Sequence, residues 1–163
     1  MRRWWQDWLP TDRRATALAA LGAVVLAGLG GLATDLGPWY AGLRQPAWKP
    51  PDLWFGPVWT LIFTLAAWSA VLGWQAAAPG APRRRWLLAI GLNALLNLGW
   101  SLLFFTLRRP DWALAEVVLL VLSVGMLIRI APTWRAAVLL WPYLAWVTYA
   151  STINAGVVHL NPA

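Results

Sequence analysis

The sequence contains no cysteine, which excludes disulfide frameworks, thiolate metal sites and a cysteine nucleophile, and leaves thiol usage silent about redox compartment. Charge is nearly as scarce: 12% of the 163 residues are charged, only six residues are acidic, and there is one histidine. The chain shows no metal-ligand cluster, no nucleotide-binding motif and no acid–base pair, so any chemistry would have to draw its reactivity from a bound molecule.

What the chain has instead is apolar surface. Hydrophobic residues make up 60% of it and the mean hydropathy is +0.57, the reverse of what a soluble domain of this length needs on its exterior. A single water-soluble core would leave most of these side chains without a buried place, so the bilayer is the solvent. The net charge of +7 falls in short clusters between apolar runs rather than along one amphipathic face, which argues for membrane topology and against nucleic acid.

Five apolar runs of bilayer-spanning length follow one another, at about 15–33, 54–78, 86–107, 112–130 and 135–158. Peptide groups unpaired in hydrocarbon cost several kcal/mol, and the runs lack the two-residue alternation of a barrel strand, so each span is expected to be helical. The expected fold is an all-α, five-transmembrane-helix bundle preceded by a basic segment, 1–14. That segment with the first run resembles a signal peptide, but the run continues to Ala33 without a small-x-small cleavage site, so a retained first helix is expected. Tryptophans near span ends, Trp54, Trp74, Trp86, Trp112 and Trp134, are expected at headgroup depth.

The basic residues orient the bundle. Arg2, Arg3, Arg13, Arg14, Arg83, Arg84, Arg85, Arg129 and Arg135 fall on one side, against Arg44, Lys49, Arg108 and Arg109 on the other. The positive-inside rule then places the N-terminus in the cytoplasm and the C-terminus outside, in a helical bundle suited to a bacterial inner membrane. The 76–82 connection is a short Ala/Pro/Gly turn.

The connection between the first two spans, about 34–53, is different. It holds Trp39, Tyr40, Pro46, Trp48, Lys49, Pro50, Pro51 and Asp52, and its prolines predict an extended, stiff, aromatic-rich loop. It suits either a lid or an interfacial loop whose tryptophans touch headgroups. In the third span Asn93, Asn97, Trp100 and Ser101 share a face, a polar and aromatic stripe that serves either interhelical hydrogen bonding or ligand contact. In the fifth, Pro142, Trp146, Ala150 and Asn154 recur at four-residue intervals with Tyr143 and Tyr149 nearby. Glu116 is either solvated at the interface, paired with Arg108 or Arg109, or buried toward the bundle with a donor. Ala19, Ala23, Ala27 and Gly31 form a small-residue seam on the first span that permits close helix approach.

In order, the chain reads Trp39-Tyr40, then Leu43-Arg44-Gln45-Pro46-Ala47-Trp48-Lys49-Pro50-Pro51, Phe55-Gly56-Pro57-Val58-Trp59-Thr60, Asn97-x-x-Trp100-Ser101-x-x-Phe104-Phe105, and Trp141-Pro142-Tyr143-Leu144-Ala145-Trp146. Over roughly 39–154 this resembles the TspO/translocator family of tryptophan-rich, tetrapyrrole-binding membrane proteins. The resemblance implies a ligand pocket lined or closed by Tyr40, Trp59, Asn97 and Trp146. With Trp48 and Pro50 of the loop, Trp100 and Ala150, these are the candidate ligand-binding residues. It also implies a porphyrin or heme as ligand with no obligatory cofactor, and homodimers. A flat macrocycle needs an apolar slot, aromatic planes and one or two orienting polar groups, which this set supplies.

The sterol-recognition segment of animal members is incomplete here, with Ala155 and His159 at the matching positions and no basic residue after Tyr149, which argues against specific cholesterol recognition. His159 is either an interfacial hydrogen-bonding group or an axial heme ligand. Three functional readings follow from the resemblance: a sensory or regulatory tetrapyrrole binder, a light-dependent porphyrin-degrading enzyme, or a transporter of porphyrins or lipids.

Overall fold

The computed structural model describes residues 7–162, so the expected roles of Arg2 and Arg3 lie outside the described residues. The described part of the chain is all-helical. Five segments are long and apolar enough to cross a membrane: Arg13–Ala33, Asp52–Ala76, Ala81–Thr106, Pro110–Ile130 and Trp134–Leu160.

Helix α1 (Arg13–Ala33) starts at an Asp12 cap whose carboxylate accepts from the Ala15 amide at 3.0 Å. Chiefly that bond holds the Asp12 carboxyl below the usual carboxylate range. Pro38 then opens a one-turn helix, α2 (Pro38–Ala41), since a proline at the first helical position loses no hydrogen bond. The connection is therefore not extended throughout, and it re-enters helix through a 3-10 turn, Asp52–Trp54, that leads into α3 (Phe55–Ala76).

Helix α4 (Ala81–Ser101) begins about five residues before the apolar run does. Gly80 makes the turn at φ 92°, a left-handed conformation that glycine adopts without strain, and Pro82 sits in the first turn where its missing N–H is harmless. The Arg83–Arg85 triplet thereby belongs to the helix. At its other end α4 widens into a π-helical turn, Leu102–Thr106, which buries the consecutive Phe104 and Phe105 together. Helix α5 (Pro110–Ile130) follows at once.

The fifth span is broken. Helices α6 (Trp134–Val138) and α7 (Trp141–Leu160) are separated by a turn at residues 139–140, because Pro142 has no N–H to give to the preceding turn. Pro142 itself is exposed, and the buried stripe of α7 is Tyr143, Val147, Asn154 and Val157.

The long helices close into a ring in the order α1, α3, α7, α5, α4, with α3 also meeting α4. Backbones approach closely at α1–α3, α4–α5 and α5–α7, and only sparsely at α3–α7. One core cluster, built on Ile62, Val117, Leu120, Val124, Tyr143 and Val147, occupies the ring, and a second around Phe104, Phe105, Ala113 and Val157 continues it toward α2. A third lies at the arginine-rich end on Trp86, Leu127 and Leu140. Trp86, expected at headgroup depth, is only 2% exposed. Its indole donates to the Ala70 carbonyl at 3.1 Å and lies where a Cβ on Gly73 would fall, so the missing side chain at Gly73 is what admits the ring. By contrast Trp54, Trp112 and Trp134 are exposed.

Candidate functional site between helices three and seven

Above the sparse α3–α7 seam, the chain from Leu43 to Pro51 is tied down at three places. At one edge, the Tyr40 hydroxyl donates to Asp52 Oδ1 at 2.7 Å and Lys49 Nζ donates to the same oxygen at 2.6 Å. The Lys49 ammonium also sits 5.7 Å from the ring centres of both Tyr40 and Phe55. Burial, reinforced by the bond to Asp52, pushes the Tyr40 phenol above the usual tyrosine range.

At the other edge the segment is bound to α7. The Tyr149 hydroxyl donates to the Trp48 carbonyl at 2.6 Å. The Arg44 amide donates to Asn161 Oδ1, and Asn161 Nδ2 donates back to the Arg44 carbonyl, both at 3.0 Å. Between these ties Pro46 is buried against Gly156, where a Cβ would lie 2.9 Å from the proline ring.

Beneath this strap the seam is bridged by aromatic side chains rather than by close backbones. Phe55 of α3 meets Trp146 of α7 edge-to-face with ring centres 5.4 Å apart, and Trp59 meets Tyr143 in the same manner at 6.0 Å. Such pairs contribute roughly 0.5–1.5 kcal/mol each beyond area burial. Tyr149 extends the row from Trp146 at 5.8 Å, and Phe63 extends it from Trp59 at 5.2 Å.

The polar stripe of α4 is committed to neighbouring helices. Asn93 donates to Ser123 Oγ at 2.8 Å, Asn97 to the Tyr143 hydroxyl at 3.1 Å, and Trp100 to Asn154 Oδ1 at 3.0 Å. Asn154 in turn donates to the Pro110 carbonyl at 2.9 Å. Interhelical bonds of this kind are worth about 0.6–2 kcal/mol in a membrane bundle. They fix the Tyr143 ring against which Trp59 rests.

Two polar groups are treated differently. The Trp146 indole N–H is buried without an acceptor although its ring stands in the aromatic row. Both carboxylate oxygens of Glu116 are likewise buried without a partner. Of the three environments open to Glu116, its carboxylate takes the buried one, without the donor, and is not paired with Arg108, which lies 3.7 Å from Asp35, or with Arg109, which is bonded to Asp111.

The structure therefore brings Trp59, Asn97, Trp100 and Trp146 to one core around Tyr143. Tyr40 belongs to the adjoining cluster with Phe104 and Phe105, and Trp100 belongs to both. Trp48 is 53% exposed, and its ring edge would lie 3.2 Å from a Cβ at Gly156. Pro50 and Ala150 are half-buried. His159 is exposed in the last turn of α7, outside the aromatic clusters. Four elements escaped the sequence reading: the Tyr40–Asp52–Lys49 tie, the Asn161 clamp, the Gly156 contact, and Tyr143 as the hub. Only the last carried a signal, since Tyr143 opens the buried face of a helix two residues after its start.

The model of the TspO/MBR family matches residues 15–160. The chain belongs to the TspO/MBR family. It is 34% identical to the translocator protein of Sus scrofa over 84% of this chain and 86% of that relative. It is also 34% identical to the tryptophan-rich protein TspO of Archaeoglobus fulgidus, over 90% of this chain and 95% of the relative. With TspO of Chlorobaculum tepidum it shares 36% identity, over 76% and 80% of the two chains. The strap and the aromatic row of this TspO/MBR chain both lie within the matched span.

Proposed function

We propose that this chain is a sensory or regulatory membrane protein that binds a flat hydrophobic tetrapyrrole, a porphyrin or heme, in the α3–α7 seam beneath the 43–51 strap. The observation that carries the reading is the Trp146 indole N–H, a buried donor without an acceptor in a row of aromatic planes. Burying a polar group unpaired costs roughly 1–3 kcal/mol, a cost that an acceptor on the ligand's edge would remove. The apolar disc would lie against Phe55, Trp59 and Tyr143, in the seam of the helix ring where backbones approach most sparsely among the described residues and aromatic side chains bridge the gap. The strap is a structured lid, stiffened by proline and tied on both sides. Binding needs no resident cofactor or metal.

The arginine bias supports an N-terminus in the cytoplasm and an inner-membrane location. Self-association as a homodimer is supported by the outer face of α1, where Ala27 and Gly31 are exposed and a Cβ at Gly31 would meet nothing within 4 Å.

Titration of the purified chain with protoporphyrin, followed by tryptophan fluorescence and the shift of the porphyrin absorption band, tests the reading. Saturable quenching is expected. Trp146→Phe, which removes the donor and keeps an aromatic plane, weakens binding about fivefold, and the Trp59→Ala/Trp146→Ala pair weakens it more than about tenfold. Saturable binding unchanged in both variants would remove the seam as the site. The same samples, illuminated, separate binding from turnover: loss of pigment that depends on Trp146 would favour the enzymatic reading.

A further inference from the structure

The opposite end of the bundle carries a concavity. An open cleft of about 960 Å³ lies where the α3–α4 turn meets the end of α5, lined by Arg84, Arg85 and Arg129 on its polar side and by Trp86, Leu88 and Ile130 on its apolar side. Its floor is rigid, because Trp86 is bonded to the Ala70 carbonyl and seated over Gly73.

The three arginines are exposed and take no part in the four ion pairs found among the described residues. Nor does the sequence hold an acid to spare for them. Asp7 pairs with Arg135, Asp35 with Arg108, Asp52 with Lys49 and Asp111 with Arg109, while Asp12 caps α1 and Glu116 is buried within α5. The adjacent Arg83 is otherwise engaged, stacked 4.3 Å over the Trp74 ring and bonded to the Ala77 carbonyl at 3.2 Å. Three guanidiniums without an acidic partner around one cleft can converge on an external anion, and guanidinium geometry matches phosphate.

The apolar side says which anion. From the cleft, Leu88, Leu92 and Leu95 continue along α4 at helical spacing, 66%, 53% and 70% exposed. That is an uncovered hydrocarbon track leading away from a cationic pocket at the end of membrane-length helices. A free phosphate would use the arginines and leave the track idle; a phospholipid uses both.

We infer that this cleft binds the phosphate headgroup of an anionic phospholipid, with an acyl chain lying along Leu88, Leu92 and Leu95. The site is separate from the α3–α7 seam and takes a different ligand class.

The test is native mass spectrometry of the full chain released from micelles that contain equal amounts of phosphatidylglycerol and phosphatidylcholine with the same acyl chains. The parent protein retains phosphatidylglycerol preferentially. Each of Arg84→Gln, Arg85→Gln and Arg129→Gln lowers that preference about fivefold, and the triple variant lowers it about a hundredfold. Arg44→Gln, at the other end of the bundle, leaves it unchanged. In the parent protein the preference also falls as salt is raised, a readout that needs no variant. No preference in the parent, full preference in a triple variant of unchanged helical content, or displacement of the lipid by inorganic phosphate would each overturn the assignment. Protoporphyrin titration of the triple variant matches the parent, which keeps this site's failure distinct from failure of the seam.

Discussion

Pro46 lies against α7 only because Gly156 has no side chain: a Cβ at Gly156 would stand 2.9 Å from both Cβ and Cγ of the proline ring. The strap and the helix are fitted at that point, and neither partner has a flexible end that can swing aside. Gly156→Ala is therefore expected to lower stability by about 1–3 kcal/mol through overpacking. Gly28→Ala, on α1 where a Cβ meets nothing within 4 Å, is the matched control and is expected to be neutral or to stabilise by up to about 1 kcal/mol. Thermal unfolding of both variants in the same detergent checks the contrast.

Tyr149 holds the strap by a different means, a single hydrogen bond to the Trp48 carbonyl. Tyr149→Phe deletes that bond and little else, at a cost of about 1 kcal/mol. The global fold should survive while the strap opens more often. Hydrogen exchange at the amides of Ala47, Trp48, Lys49 and Asp52 is expected to accelerate about fivefold, together with faster release of bound porphyrin, whereas exchange in α5 stays as in the parent.

The Tyr40–Asp52 tie predicts a pH dependence. Tyr40 has its phenol pKa raised in the folded protein, first by burial and then by Asp52, so the protonated phenol is the form that folding favours. Its contribution to stability is fully present below the unfolded tyrosine value of about 10 and is lost progressively as pH rises from there through the higher folded value. At about pH 10, where a free tyrosine is half ionised, the tie should still be closed. Ultraviolet titration of the parent against Tyr40→Phe isolates this group. The difference spectrum should show no phenolate until well above pH 10, and Asp52→Asn should move its appearance to lower pH.

How much of this could be read from the sequence depends on the range of the interaction. The five spans were legible because hydrocarbon solvation acts on local composition, and the Asn93–Asn97–Trp100 stripe was legible because helical spacing puts those residues on one face. Which of two uses the stripe serves was not, since Asn97 finds Tyr143 and Trp100 finds Asn154 only after α4 and α7 are packed in the ring. Trp86 shows the same limit: its place near a span end suggested an anchor, but Gly73 on another helix opens a socket for it. The start of α4 was misjudged because arginines ended the apolar run while Gly80 and Pro82 began the helix before them. The strap's proline content announced stiffness. Its fastenings, Tyr149 to Trp48 and Asn161 to Arg44, join residues more than a hundred positions apart and leave no local trace.

The proposed ligand site places a tetrapyrrole between α3 and α7. The most direct measurement is photolysis of the reconstituted chain with a porphyrin bearing a diazirine on its edge, followed by identification of the labelled peptides. Adducts are predicted on residues 55–63 of α3 and 143–150 of α7, suppressed by excess unlabelled porphyrin. Labelling that resists competition, or that falls on the outer face of α1 or in the Arg84–Arg129 cleft while the seam stays unmarked, would contradict it.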